Sequence, residues 1–237
     1  MNAAFNPYDV WLLIPAFNAA PTLSSLLSKT CEYIPIARTI VVDDGSRDGT
    51  IDIIHRAGAA AVSHIRNIGK GAALRTGFNY ILGQNGKWIL TMDADGQHPP
   101  ESIPLFLSAA QTDNYDLIIG ARWRNGKMPL DRRFSNWSTS KTLGVLTGEQ
   151  ILDSQCGFRL LRTSMIGDIR FITSKFDFET EYLLKLIRKG ARIGWVEIPT
   201  LYAGESTSIR RLVDTMRFLR LLSMHLTGRL YREAADV

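Results

Sequence analysis

Trp88-Ile89-Leu90-Thr91-Met92-Asp93-Ala94-Asp95-Gly96-Gln97-His98-Pro99 is the stretch that decides the fold. Trp88–Met92 is a short apolar run, long enough for one buried strand and too short for a buried helix. The chain then changes to carboxylates and glycine. Strands buried on both faces belong to parallel sheets, and such sheets bind ligands beyond the carboxyl ends of their strands. Two carboxylates one residue apart at such an end repel each other and lose hydration, so a cation is needed to offset them. A hard divalent ion, Mg2+ or Mn2+, does this with Asp93, Asp95 and the side-chain oxygen of Gln97 as ligands, and can bridge to a diphosphate. A solvated turn capping the next helix is the other reading, and Asp-x-Asp alone does not choose between them.

Outward from this stretch the same rhythm repeats. On the N-terminal side, strands are predicted at Val10–Pro15, Thr39–Val42 and Ala60–Ser63. They alternate with helices at Thr22–Cys31, Gly49–Ala57 (capped by Ser46 or Asp48) and Gly71–Leu82. On the other side follow a helix at Ile103–Ala110 and a strand at Leu117–Ala121. Alternation of this kind predicts an α/β fold, a mostly parallel sheet with helices on both faces. The second half is less regular: helices at Phe134–Thr147, Glu179–Lys189 and Ile209–Leu226, and strands at Gly157–Leu161 and Arg192–Ile198.

Two further polar clusters fall at strand ends. Asp43-Asp44-Gly45-Ser46 offers a carboxylate to a ribose or base N–H, or simply makes a strand-to-helix turn. Asn67-Ile68-Gly69-Lys70-Gly71 precedes a helix and could cradle a phosphate there. It lacks Walker A spacing, and the chain has no GxGxxG.

The chain has 237 residues, 45% of them hydrophobic, enough for one domain over 1–237. Its net charge of +5 suggests anionic partners. Arg122, Arg124, Lys127, Arg132 and Arg133 face only Asp131 in their stretch, and Arg210, Arg211, Arg217, Arg220, Arg229 and Arg232 form a second group. Acidic motifs at the strand ends would repel nucleic acid, so none is expected. A basic non-enzymatic binding module remains the rival class. Cys31 and Cys156 form no metal motif and are expected as reduced thiols. The first residues lack the basic and apolar regions of a signal peptide. No run approaches the ~18 apolar residues of a membrane span.

Ile14-Pro15-Ala16-Phe17-Asn18, Val42-Asp43-Asp44-Gly45-Ser46, Asn67–Gly71, Met92–Pro99 and Asp153-Ser154-Gln155-Cys156-Gly157-Phe158-Arg159 occur in the order that marks one family. Over roughly residues 10–205 the chain resembles family 2 glycosyltransferases of the GT-A fold, a Rossmann-like architecture. Within them it looks most like the dolichyl- or polyprenyl-phosphate sugar transferases, such as dolichol-phosphate mannosyltransferases. The resemblance implies transfer of a sugar from a nucleotide-sugar to a polyprenyl phosphate with inversion, dependent on Mg2+ or Mn2+. It implies donor contacts from Pro15, Ala16, Asn18, Asp43, Asp44, Lys70, Asp93 and Ala94, with Asp44 on the base or ribose. Asp93, Asp95 and Gln97 would hold the metal. Asp95, Arg122, Arg133 and Glu179 are the implied catalytic group, the two arginines on phosphates and Glu179 near the sugar.

The resemblance departs at Phe17-Asn18-Ala19, where many members carry Tyr-Asn-Glu. It departs again at Leu201–Thr207, which lacks an Arg and a Lys that Arg210 or Arg211 could replace. A saccharide or other hydroxyl acceptor is the alternative, with Asp177 or Glu179 as base. The last helix has Leu212, Met216, Leu219 and Leu226 on one face and Arg210, Asp214 and Arg217 opposite, with Phe218 and Leu221 interrupting. That stripe packs on the core or lies on an anionic leaflet. The expectation is a cytoplasmic protein, peripheral on the membrane face, with a separate membrane protein as a further partner.

Overall fold

The computed structural model describes residue 6 and residues 9–112, 114–122, 130–199 and 211–232. Arg124, Lys127, the segment 201–207 and Arg210 lie outside the described residues, as do the side chains of Asp131, Arg132, Arg211 and Leu212.

The apolar runs become strands β1 (Val10–Ala16), β2 (Thr39–Asp43), β3 (Ala60–Ser63), β4 (Trp88–Thr91), β5 (Leu117–Arg122), β6 (Arg159–Arg162) and β7 (Ile193–Ile198). They form one sheet in the order β3-β2-β1-β4-β6-β5-β7. Every neighbouring pair is parallel except the two made by β6, which runs antiparallel to β4 and β5. The helices are α1 (Ala20–Thr30), α2 (Thr50–Ala57), α3 (Lys70–Gly83), α4 (Ile103–Thr112), α5 (Leu130–Thr147), α6 (Phe178–Arg188) and α7 (Arg211–Leu226). The expected elements are present, with α5 beginning at Leu130 rather than Phe134.

β1 is buried along its whole length, as a central strand of a covered sheet must be. From β1 the chain moves outward to β2 and β3, then crosses back to β4 on the other side. Right-handed crossovers in the two directions put α1 and α2 on one face and α3 on the other. Gly77 lets α3 lie close on β1, since a Cβ there would meet Leu13 Cδ1 at 2.1 Å. The strand-order reversal at β1 opens a crevice at the carboxyl ends of β1, β2 and β4. That is where the three acidic and polar motifs fall.

Helix α2 is capped from one position earlier than usual. Gly49 occupies the cap position with φ 85°, and Asp48 Oδ1 accepts from Thr50 N at 3.1 Å and Thr50 Oγ1 at 2.6 Å. Its Oδ2 accepts from Ala20 N at 3.0 Å, so one carboxylate ties together the starts of α1 and α2.

Helix α7 divides its apolar residues between two faces. Leu221 and Leu222 are buried and Phe218 packs against the core. Met216 (66% exposed), Leu219 (52%) and Leu226 (69%) stay on the surface. The residues that interrupt the polar face in the sequence are thus the ones that dock the helix. Among the described residues no helix is long and apolar enough to cross a membrane.

Candidate active site

The wall of the crevice is laced together by the β1 and β2 loops. Pro15 and Ala16 end β1 in register with Val42 and Asp43 of β2. Asn18 adopts φ 50°, a left-handed turn that Asn tolerates better than most residues. This turns its backbone N–H onto Ser46 Oγ at 2.8 Å and its Oδ1 onto Arg47 N at 3.0 Å. Asp43 Oδ1 accepts from Ser46 N at 3.1 Å. Pro15, Ala16, Asn18 and Asp43 therefore share one edge.

Sequence reasoning put Asp44 against a base or ribose. In the fold its carboxylate is only 3% exposed and is engaged within the protein. Oδ1 accepts from Ile68 N at 3.0 Å and contacts His64 Nδ1 at 2.7 Å, and Oδ2 accepts from Gly69 N at 2.7 Å. His64 Nε2 in turn meets Thr76 Oγ1 at 3.0 Å on α3. Asp44 thus fixes the loop that delivers Lys70. In that loop, read from sequence as a phosphate cradle, the Ile68 and Gly69 amides donate to Asp44, and just beyond it Ala72 N donates to Ser174 O at 3.0 Å.

Lys70 opens α3 and points into the crevice. Its Nζ lies 2.6 Å from Asp93 Oδ1 and 3.3 Å from Glu179 Oε1. Burial alone would lower its pKa, but the two carboxylates outweigh burial and hold the ammonium above its ordinary value. Burial would likewise raise Asp93, and Lys70, with a smaller contribution from Arg122, holds that carboxyl below its usual range. Asp95 behaves oppositely: burial first, and the charge of Asp93 second, push it up. One carboxylate of the pair is thus compensated and the other is not. Gln97 N donates to Asp95 Oδ1 at 3.0 Å, and Thr22 Oγ1 donates to Ala94 O at 2.6 Å, shaping the turn between β4 and α4. His98 Nδ1 accepts from Asp93 N at 3.3 Å, and burial pushes its pKa down, so it steadies the turn as a neutral ring.

The donor set fits a hard divalent ion. Asp93, Asp95 and Gln97 offer only oxygens, and the uncompensated Asp95 is the charge such an ion would neutralise. Among the described residues no three His, Cys, Asp or Glu side chains converge on one point. The remaining ligands would have to be water and phosphate oxygens, the usual condition for Mg2+ in phosphate-binding sites.

The segment from Asp153 to Arg159 forms the opposite wall, and here the structure adds roles that the sequence reading lacked. Arg159 is fully buried and donates to Cys156 O at 2.6 Å, Ser154 O at 2.8 Å and Glu179 O at 3.1 Å. It ties this segment to the first turn of α6. Gly157 backs the Lys70–Asp93 pair: a Cβ there would sit 2.8 and 2.9 Å from the Asp93 oxygens and 2.9 Å from Lys70 Nζ. Glu181, fully buried, accepts from Ile172 N at 2.9 Å, Thr173 N at 2.7 Å and Lys185 Nζ at 2.6 Å, fixing the strap beside the Lys70 loop. A carboxylate one helical turn from a lysine, within an apolar stretch, is the only local signal for the last of these.

Arg122 ends β5 in a fork with Asp153, Nε to Oδ2 at 2.7 Å and Nη2 to Oδ1 at 2.9 Å. Burial would raise Asp153, but Arg122 holds it below the usual range. Arg133 lies in the first turns of α5 and is exposed. Asp177 precedes α6, and burial raises its carboxyl. Cys31 is exposed and Cys156 buried, both free thiols.

A family model described as glycosyl transferase family 2 matches residues 11–170. An undecaprenyl-phosphate mannosyltransferase of Micrococcus luteus is 32% identical over 81% of this chain and 83% of its own length. A UDP-N-acetylglucosamine–dolichyl-phosphate N-acetylglucosaminyltransferase of Methanococcus voltae is 26% identical over 91% and 95%. Among solved structures, glucosyl-3-phosphoglycerate synthase from Mycobacterium tuberculosis, in complex with Mn2+ and UDP-glucose, aligns with TM-score 0.70 at 17% identity. That alignment covers 96% of this chain and 81% of the other, and shows that the two share the GT-A fold.

Proposed function

From membership of glycosyl transferase family 2, to which the chain belongs, we propose that this glycosyltransferase moves a sugar from a nucleoside-diphosphate sugar to a polyprenyl phosphate. We propose further that it uses Mg2+ or Mn2+ and inverts the anomeric carbon. The observation that carries the reading is the pair Asp93 and Asp95 at the end of β4, facing Lys70 and Glu179 in the crevice where strand order reverses. The acceptor rests on the two relatives whose names specify undecaprenyl and dolichyl phosphate.

In this reading the nucleotide lies along Pro15, Ala16, Asn18 and Asp43, while Asp44 contributes by fixing the 68–69 backbone. Asp93, Asp95 and Gln97, with Ala94 in the turn between them, hold the divalent ion. When bound, that ion supplies positive charge to the leaving diphosphate. The acceptor phosphate is anionic at neutral pH and is itself the nucleophile. One of its oxygens bonds to the anomeric carbon as the bond from that carbon to the diphosphate oxygen breaks, and the nucleoside diphosphate departs with the electron pair. No general base is needed, only cations that hold the phosphate. Arg122, oriented by Asp153, and Arg133 serve that purpose, since a guanidinium matches phosphate oxygens. Glu179 orients Lys70 near the sugar.

The exposed stripe Met216, Leu219 and Leu226 of α7, with Arg220 on the same surface, would rest on the cytoplasmic leaflet where the acceptor resides. A membrane-protein partner would share that face. A hydroxyl acceptor is the second reading, with Glu179, whose Oε1 lies 3.3 Å from Lys70 Nζ, or Asp177 two residues before it as the base.

The test is release of nucleoside diphosphate from a panel of nucleotide-sugars with Mn2+, with and without polyprenyl phosphate. The expected result is release only with the lipid, lost in chelator and in a folded Asp95→Ala variant. Turnover on a water-soluble saccharide but not on the lipid would select the second reading. Full activity in chelator refutes the metal role.

A further inference from the structure

Lys70 is seated where a metal-binding carboxylate would be needed free. Its Nζ is 2.6 Å from Asp93 Oδ1, with Glu179 Oε1 on its other side at 3.3 Å. The seat is closely fitted. The Gly157 backbone packs against both Asp93 and Lys70 Nζ, since a Cβ there would come within 3.0 Å of each. The loop behind Lys70 is pinned, Ile68 N and Gly69 N on Asp44 and Ala72 N on Ser174 O. The backbone behind Lys70 is therefore held, and rotation of the lysine side chain is what takes the ammonium off Asp93.

We propose that Lys70 is a resident counter-ion that competes with the divalent ion for Asp93 and releases it only when a diphosphate arrives. This rests on the metal reading given above. An ion arriving alone must share a carboxylate with an ammonium at contact distance, and the two cations repel. A nucleoside diphosphate brings anionic oxygens to which the ammonium can swing, leaving Asp93 to the ion. Ion and diphosphate thus favour each other's binding, and by linkage the coupling is equal in both directions. The protein would hold little metal between turnovers, and Lys70 would follow the charge of the donor. Glu179 has the opposing effect: it shares the ammonium and weakens its hold on Asp93.

The experiment is Mn2+ binding by electron paramagnetic resonance of the free ion, at one pH and ionic strength. Wild type is compared with Lys70→Gln, Glu179→Gln and Asp93→Asn, with circular dichroism to confirm folding. Lys70→Gln should bind Mn2+ at least ~10-fold tighter than wild type, because a positive charge at contact distance has been removed. Glu179→Gln should bind at or below the wild-type affinity, and Asp93→Asn more weakly than either. Adding UDP or GDP should tighten Mn2+ binding by a larger factor in wild type than in Lys70→Gln. Should Lys70→Gln not fold, Lys70→Arg keeps the charge and should keep the weak binding, and tighter binding there overturns the proposal. Wild type that binds Mn2+ as tightly as Lys70→Gln also overturns it while leaving the metal reading intact. No Mn2+ bound by any of the proteins, with or without UDP or GDP, removes the metal reading and this proposal together.

Discussion

Replacing Gly157 with alanine adds one methyl group against the two charges at the centre of the crevice. That Cβ would lie 2.8 Å from Asp93 Oδ2 and 2.9 Å from Lys70 Nζ, where ordinary contact begins near 3.4 Å. Something must therefore move by about 0.6 Å, the difference between 3.4 and 2.8. The lysine end is flexible and can yield, whereas Asp93 is short and rooted at the end of β4. Overpacking of this kind costs about 1 kcal/mol of stability, the low end of its range, because one neighbour is mobile. A displacement of 1 Å in a positioned group can cost about 100-fold in rate, so roughly tenfold is expected for this smaller shift. The assay pairs nucleoside diphosphate release, as kcat/KM, with the urea midpoint. Gly83→Ala is the control, since its Cβ would meet nothing within 4 Å. The expected result is a tenfold or greater loss of kcat/KM in a protein more than nine-tenths folded. Unchanged kcat/KM, or a loss that merely follows the unfolded fraction, would refute the reasoning.

Asp95→Asn should raise the melting temperature of the metal-free protein at neutral pH while abolishing transfer. Burial and Asp93 raise the Asp95 carboxyl, so its charged form is a cost above its folded pKa, and the gain from Asn should vanish in acid below the ordinary carboxyl range. Asp153→Asn should destabilise by about 3 kcal/mol, because it removes the charge of a buried carboxylate from its two-pronged pair with Arg122. The Asp153 carboxyl is depressed, so that difference should be full above the ordinary carboxyl range and shrink as pH falls through its own lowered value, as followed by urea melts across pH. Met216→Asp with Leu219→Asp should weaken sedimentation with anionic polyprenyl-containing vesicles and leave the melting temperature within a degree or two, since both side chains are exposed. Leu221→Asp, at a buried position of the same helix, should instead lower stability by several kcal/mol. Ellman's reagent should titrate Cys31 in the native protein and Cys156 only after unfolding, because burial pushes the Cys156 thiol up to about 12.

The sequence by itself determined the α/β rhythm, the strand ends at which Asp43, Asp44, Asp93 and Asp95 fall, and the family to which the motifs belong. Those features are local: a buried strand needs an unbroken apolar run, and a turn at its end needs Asp, Gly or Ser. The direction of β6 was not legible, because a strand's direction depends on where α5 returns the chain to the sheet. Nor was it legible that Asp44 accepts from the 68–69 amides, since a carboxylate in a turn looks the same whichever donors reach it. Sequence left the face of α7 open, and only packing made Leu221 and Leu222 the docking residues and left Met216 exposed. The ion pair of Lys70 with Asp93 and Glu179, the Gly157 contact behind it and the three carbonyls on Arg159 join residues from four separate parts of the chain. Charge and volume decide such contacts through space, and only the tertiary structure brings those residues within a few ångströms of one another.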